Sequence, residues 1–200
     1  MTLTYRALGM LALIALPLNL PAQEATPAEV PATDLAVEGL EMGTPVEDGP
    51  VEGQPYIREV FGDWALRCIN LAEGPEPCEL YQLLLDADSN PVAEISMFPL
   101  PPGGQAAAGA NIVAPLETLL TEQLTLAVDG GTPRRYPFSF CNAGGCVARV
   151  GFSAEDVLAF KRGNSATIRI VPAIAPEEEV LLTISLTGFT AGFDYDPTAE

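Results

Sequence analysis

Apolar and polar residues alternate at period two through much of the chain, a spacing that turns one face of a strand toward a core and the other toward water. The clearest run is Val180-Leu181-Leu182-Thr183-Ile184-Ser185-Leu186-Thr187, where Leu182, Ile184 and Leu186 share one face and hydroxyl residues take the other. Ala166 to Val171 sets Ile168 and Ile170 against Thr167 and Arg169 in the same way. Val60 to Cys68, Leu80 to Leu85, Val92 to Phe98, Leu124 to Val128, and Arg135 to Phe140 with its return Val147 to Val150 are the other predicted strands. Short strands separated by turns predict a sandwich or barrel. One helix is predicted, opening after Ser153 as N-cap with Asp156 three residues on, and with Phe152 placed to staple onto Val157. Lys161, Arg162 and Gly163 close it, with the acids first and the bases last, as the helix dipole favours. Pro99 to Asn111, rich in proline, glycine and alanine, reads as a long mobile loop.

The first fifty residues break this pattern. Arg6 precedes an apolar run from Ala7 to Leu18, and Leu20-Pro21-Ala22-Gln23 follows, the order of a secretory signal with cleavage after Ala22. The run falls short of the ~20 residues a spanning helix needs, so the mature chain is expected to hold no transmembrane segment. From Gln23 to Pro55 there is no Lys, Arg, aromatic or Cys, while acids, prolines and glycines recur. Such a stretch cannot bury enough apolar surface to offset its ordering entropy. The organisation expected is a signal peptide over 1–22, a disordered acidic linker over 23–56 and a folded domain over 57–197.

Charge narrows the partners. With 9 Lys+Arg against 27 Asp+Glu, the net charge of −18 disfavours nucleic acid and anionic lipid, both of which recruit clustered bases. The chain has no His, which excludes Ser-His-Asp and Cys-His nucleophile systems, imidazole-ligated metals and an imidazole pH switch.

Cys68, Cys78, Cys141 and Cys146 are an even set in an exported chain and predict two disulfides. Cys141 and Cys146 flank the four-residue loop of a hairpin, and Cys68 and Cys78 flank a loop between two strands, so 68–78 and 141–146 are the preferred pairs. The pairings that join the two hairpins stay open. Neither half has the C-x2-C spacing of a zinc knuckle or a redox dithiol, and neither a metal nor a cofactor is expected. Asp86-Ala87-Asp88-Ser89-Asn90 begins like a calcium loop but has Pro91 where the turn glycine belongs and Met97 in place of the bidentate Glu, so it reads as a polar turn.

Phe61-Gly62-Asp63-Trp64 with Arg67-Cys68, then Cys78, then Phe140-Cys141-Asn142-Ala143-Gly144-Gly145-Cys146, and finally Gly188-Phe189-Thr190-Ala191-Gly192-Phe193-Asp194, together resemble the bacterial invasion-associated locus B family. The resemblance implies an exported envelope protein with an immunoglobulin-like β-sandwich. Its motif positions are Gly62, Asp63, Trp64, Gly145, Gly188, Phe189, Gly192 and Phe193, and it brings no catalytic residue with it. The long acidic linker and the single lysine depart from the family. The function expected is a non-catalytic periplasmic or secreted binding module for an envelope or host protein. A surface adhesin or invasion factor is the alternative. A carboxylate-based hydrolase would draw on Glu59 with Asp63, or on Asp194 with Asp196.

Overall fold

A computed structural model describes residues 43–45 and 49–196. The predicted export signal and most of the predicted acidic linker lie outside those residues, as does Pro197. Among the described residues, eleven strands form two antiparallel sheets. Strands β1 (Pro55–Phe61), β2 (Trp64–Ile69), β3 (Cys78–Leu85), β4 (Pro91–Pro99), β5 (Ala108–Ala114), β8 (Phe140–Asn142) and β9 (Gly145–Phe152) make the larger one, in the order β1-β2-β3-β4-β5-β9-β8. The smaller runs β11 (Val180–Ser185), β10 (Ser165–Ile170), β6 (Leu124–Val128), β7 (Arg134–Tyr136). The two sheets make a β-sandwich. Its core takes Leu80, Leu84, Ile95, Met97 and Ile112 from the large sheet and Leu126, Ile168, Leu182 and Ile184 from the small one. These are the inward positions of the alternating runs, and each large aliphatic buried there contributes roughly 1.5–3 kcal/mol.

Helix α1 (Ala154–Arg162) begins as its sequence dictates. Ser153 Oγ accepts the Asp156 N–H at 3.2 Å, and Asp156 Oδ2 accepts the Ser153 N–H at 2.9 Å. Its buried face, Val157 and Phe160, joins a run of aromatic contacts through the core: Tyr136–Phe152, Phe152–Phe160, Phe160–Phe189 and Phe189–Trp64.

Four expectations change. Val60 to Cys68 is not one strand: the chain reverses at Gly62-Asp63, so Phe61 faces Trp64 across a hairpin and β1 pairs with β2. The predicted loop 99–111 is a loop only to residue 107, and its remainder opens β5, a central strand with Ala108, Ala110 and Ile112 in the core. Small residues conceal this strand because they carry little β propensity. Gly109 leaves room for the Phe98 ring to lie across the strand, since a Cβ there would sit 2.6 Å from Phe98 Cε2. Arg135 to Phe140 also divides: β7 pairs with β6 in the small sheet, and the chain then crosses to enter the large sheet as β8. Finally, a second short helix, α2 (Phe189–Phe193), follows β11 where no helix was read.

Candidate functional site

Seven of the eight motif residues meet at one end of the sandwich, where the β1–β2 turn is held against the β11–α2 turn. The Asp63 N–H donates to Thr187 O at 3.1 Å, and Ser185 Oγ donates to Asp63 Oδ2 at 2.5 Å. Trp64 is wholly buried and sends its indole N–H to Ser185 O at 2.8 Å, with its ring edge against Phe189 at 5.3 Å between centroids. Gln82, buried on β3, completes the joint: its amide donates to Asp63 O and Ser185 O and accepts the Ser185 N–H. Gly188, at φ 85°, passes so close to the other turn that a Cβ would lie 1.9 Å from Phe61 O. Gly62 is the reciprocal position, 2.7 Å from Thr187 O by the same measure. Gly192 packs under Leu80 and Phe61, and Phe193 stacks on Phe189. Gly145 stands apart, opening β9 opposite Asn142. These residues form a clasp between the sheets, and their polar groups are spent on one another.

The other sequence candidates are also engaged locally. Cys68 bonds to Cys78 and Cys141 to Cys146, each pair directly opposed across neighbouring strands. Asp86 Oδ1 accepts the N–H groups of Asp88 and Asn90, closing the β3–β4 turn. Those hydrogen bonds, Asn90's first, lower the Asp86 pKa. Of the carboxylate pairs, Asp63 belongs to the clasp, Asp194 is bound to Lys161 at 2.5 Å, and Glu59 is exposed on β1. Among the described residues, no group of three or more His, Cys, Asp or Glu is placed to hold a metal, and no helix is long and apolar enough to cross a membrane.

The outer face of the seven-stranded sheet is different. Out-pointing side chains of β2 to β9 line two adjoining concavities, of 610 Å³ and 370 Å³, that share Arg67 and Glu79. The larger is an apolar trough walled by Pro55, Ile69, Pro77, Phe98 and Pro99. The second crosses the middle of the face and is polar, with Glu94, Ser96, Asn111 and Arg149 beside Phe140 and Val147. Arg67 holds the boundary. It bonds Glu79 at 2.6 Å, lies 4.0 Å from Glu94 and stacks 4.0 Å over the Tyr81 ring. Burial, then the charge of Glu94, raises the Tyr81 pKa, so the phenol stays neutral.

A third cavity, of 240 Å³, opens between β6, β7 and α1, with the Arg134–Asp156 ion pair among its lining residues. It is smaller than a typical ligand pocket.

Sequence reading missed the outer face because its residues are scattered from 55 to 149. The outward positions of each strand were legible, but with β5 taken for a loop, β4 and β9 could not be recognised as flanking one strand.

The family model for the invasion associated locus B (IalB) protein matches residues 64–196. Two invasion protein B homologs of Brucella abortus, from strain 2308 and from biovar 1 strain 9-941, are each 26% identical over 150 residues, covering 71% of this chain and 80% of theirs. The crystal structure of invasion associated protein B from Bartonella henselae matches with a TM-score of 0.56 at 22% identity, over 66% of this chain and 89% of that one.

Proposed function

Because the chain belongs to the invasion associated locus B family, we propose that it is an exported, non-catalytic interaction module of the bacterial envelope, periplasmic or secreted, that engages a protein partner through the outer face of its seven-stranded sheet. The observation that carries this reading is the 610 Å³ apolar trough on a sheet face that no second layer of the described chain covers. Cavities of this size and apolar lining are where proteins take up ligands and anchoring side chains. Two further features support it. Both disulfides need an oxidising compartment to persist, in agreement with the export signal read at 1–22. Within the two carboxylate pairs, Asp63 is engaged in the clasp and Asp194 by Lys161.

Capture from an envelope extract by the mature chain tests the reading, with Phe98→Asp as the comparison. The unmodified chain is expected to retain a partner that Phe98→Asp loses while keeping its thermal transition. Failure to retain any partner at low and at moderate salt overturns it. Protease treatment of intact cells separates this compartment from a surface adhesin, since a protein behind the outer membrane survives.

A further inference from the structure

We infer that the middle of the outer face, centred on β5, is a self-association surface that pairs two copies of this chain about a two-fold axis running along β5. This goes beyond the partner-binding reading, which rests on the trough at the other end of the face, and it stands separately. The strand register carries it. Leu83, Glu94, Val113, Val147 and Phe140 are successive cross-strand partners from β3 through β4, β5 and β9 to β8. Leu83 and Phe140 are 46% and 50% exposed, large apolar residues open to water. They lie two strands to either side of Val113. Rotation about β5 therefore lays Leu83 of one copy on Phe140 of the other and brings the two Val113 side chains together.

Charge agrees with the same axis. The adjacent row is Tyr81, Ser96, Asn111 and Arg149, so the two rows together hold one acid and one base in a chain of net charge −18. Elsewhere, copies of so acidic a protein repel. Arg149 is exposed and forms no ion pair among the described residues. Glu94 lies beside the Tyr81 phenol and 4.0 Å from Arg67, a guanidinium that Glu79 holds closer. Glu94 on β4 and Arg149 on β9 flank β5, and the axis exchanges β4 with β9. Each copy's Arg149 thus reaches the strand that carries the other's Glu94, and two such pairs form per dimer. Strand spacing makes the patch about 19 Å wide between β3 and β8. Two rows of side chains extend it roughly 14 Å along the strands, so the patch of roughly 270 Å² is below the ~800 Å² per partner of a tight complex, and the association is reversible and concentration-dependent.

Sedimentation equilibrium of the mature chain over a wide concentration range tests this. The expected result is a monomer–dimer equilibrium, weakened at least tenfold by Arg149→Glu and by Glu94→Arg alone and recovered in the double charge exchange. Each single variant is first shown to keep the unmodified thermal transition, and Phe140→Ser supplies an uncharged variant that should also weaken the dimer. Monomer at every concentration overturns the inference, as does a dimer indifferent to all three positions or a double exchange no better than the singles. A Phe98→Asp chain that loses its envelope partner yet still dimerises would distinguish the two surfaces.

Discussion

Gly188 offers a test of how much the clasp contributes, because conformation and close approach can be separated there. A methyl group at 188 carries two costs. The backbone is left-handed, at φ 85°, which costs an L residue roughly 1–2 kcal/mol. The Cβ would also fall 1.9 Å from Phe61 O, 2.4 Å from Phe61 C and 2.8 Å from Gly62 N, all backbone atoms of the opposing turn, so the two turns must part. Parting them strains the Asp63 N–H to Thr187 O bond and the indole bond of Trp64 to Ser185, each worth about 1 kcal/mol. Gly188→Ala is therefore expected to cost roughly 3–4 kcal/mol, a large part of the ~5–15 kcal/mol that holds a domain together. Gly130 is the control, since its φ is 69° and no atom lies within 4 Å of a Cβ built there. Gly130→Ala should carry only that conformational cost, roughly 1–2 kcal/mol. Urea unfolding followed through Trp64, the one tryptophan, reads both. At the usual scale for a domain of this size, Gly188→Ala should lower the melting temperature by about 6–16 °C and Gly130→Ala by about 2–8 °C. Equal losses in the two variants would refute the reasoning, because they would mean that the turns do not depend on touching.

Three other outcomes follow from the same contacts. Gln82→Leu leaves the Ser185 N–H without its acceptor and should cost about 1–3 kcal/mol in the same unfolding experiment, although leucine suits the core around it. Burial raises the Asp156 pKa, but hydrogen bonds from Ser153 and the charge of Arg134 more than offset this and hold it below the usual carboxylate range. A folded value below the unfolded one stabilises fully above the unfolded pKa and is lost as pH falls through the folded value. Asp156→Asn should therefore flatten the acid limb of the stability–pH curve and leave its neutral limb parallel to that of the unmodified chain. Cys141 is exposed whereas Cys68 is buried, so limited reduction with a small thiol, followed by alkylation and peptide mass mapping, should label 141 and 146 before 68 and 78. Losing either bridge should cost about 2–3 kcal/mol.

Local rules made much of this molecule legible. Period-two alternation located β3, β4, β6, β10 and β11 and correctly assigned Leu182, Ile184 and Leu186 to the core. The Ser153–Asp156 spacing located α1 with its cap, because a capping box is satisfied within one turn of chain. Strands hidden by small residues were another matter. Ala108 to Asn111 has little propensity to betray it and joins a strand because β4 and β9 offer hydrogen bonds on both sides and Phe98 covers Gly109.

The sequence by itself determined which residues turn inward, where the helix starts and how acidic the chain is, since each of these depends on neighbours a few positions away or on a sum over the chain. Only the tertiary structure decided what the motif residues do and which surface is left open. Gly62 and Gly188 are 126 positions apart, and Leu83 and Phe140 are 57. Whether such residues touch or share a face depends on strand order and register, which arise from closing long loops around a common core and leave no periodic trace in the chain.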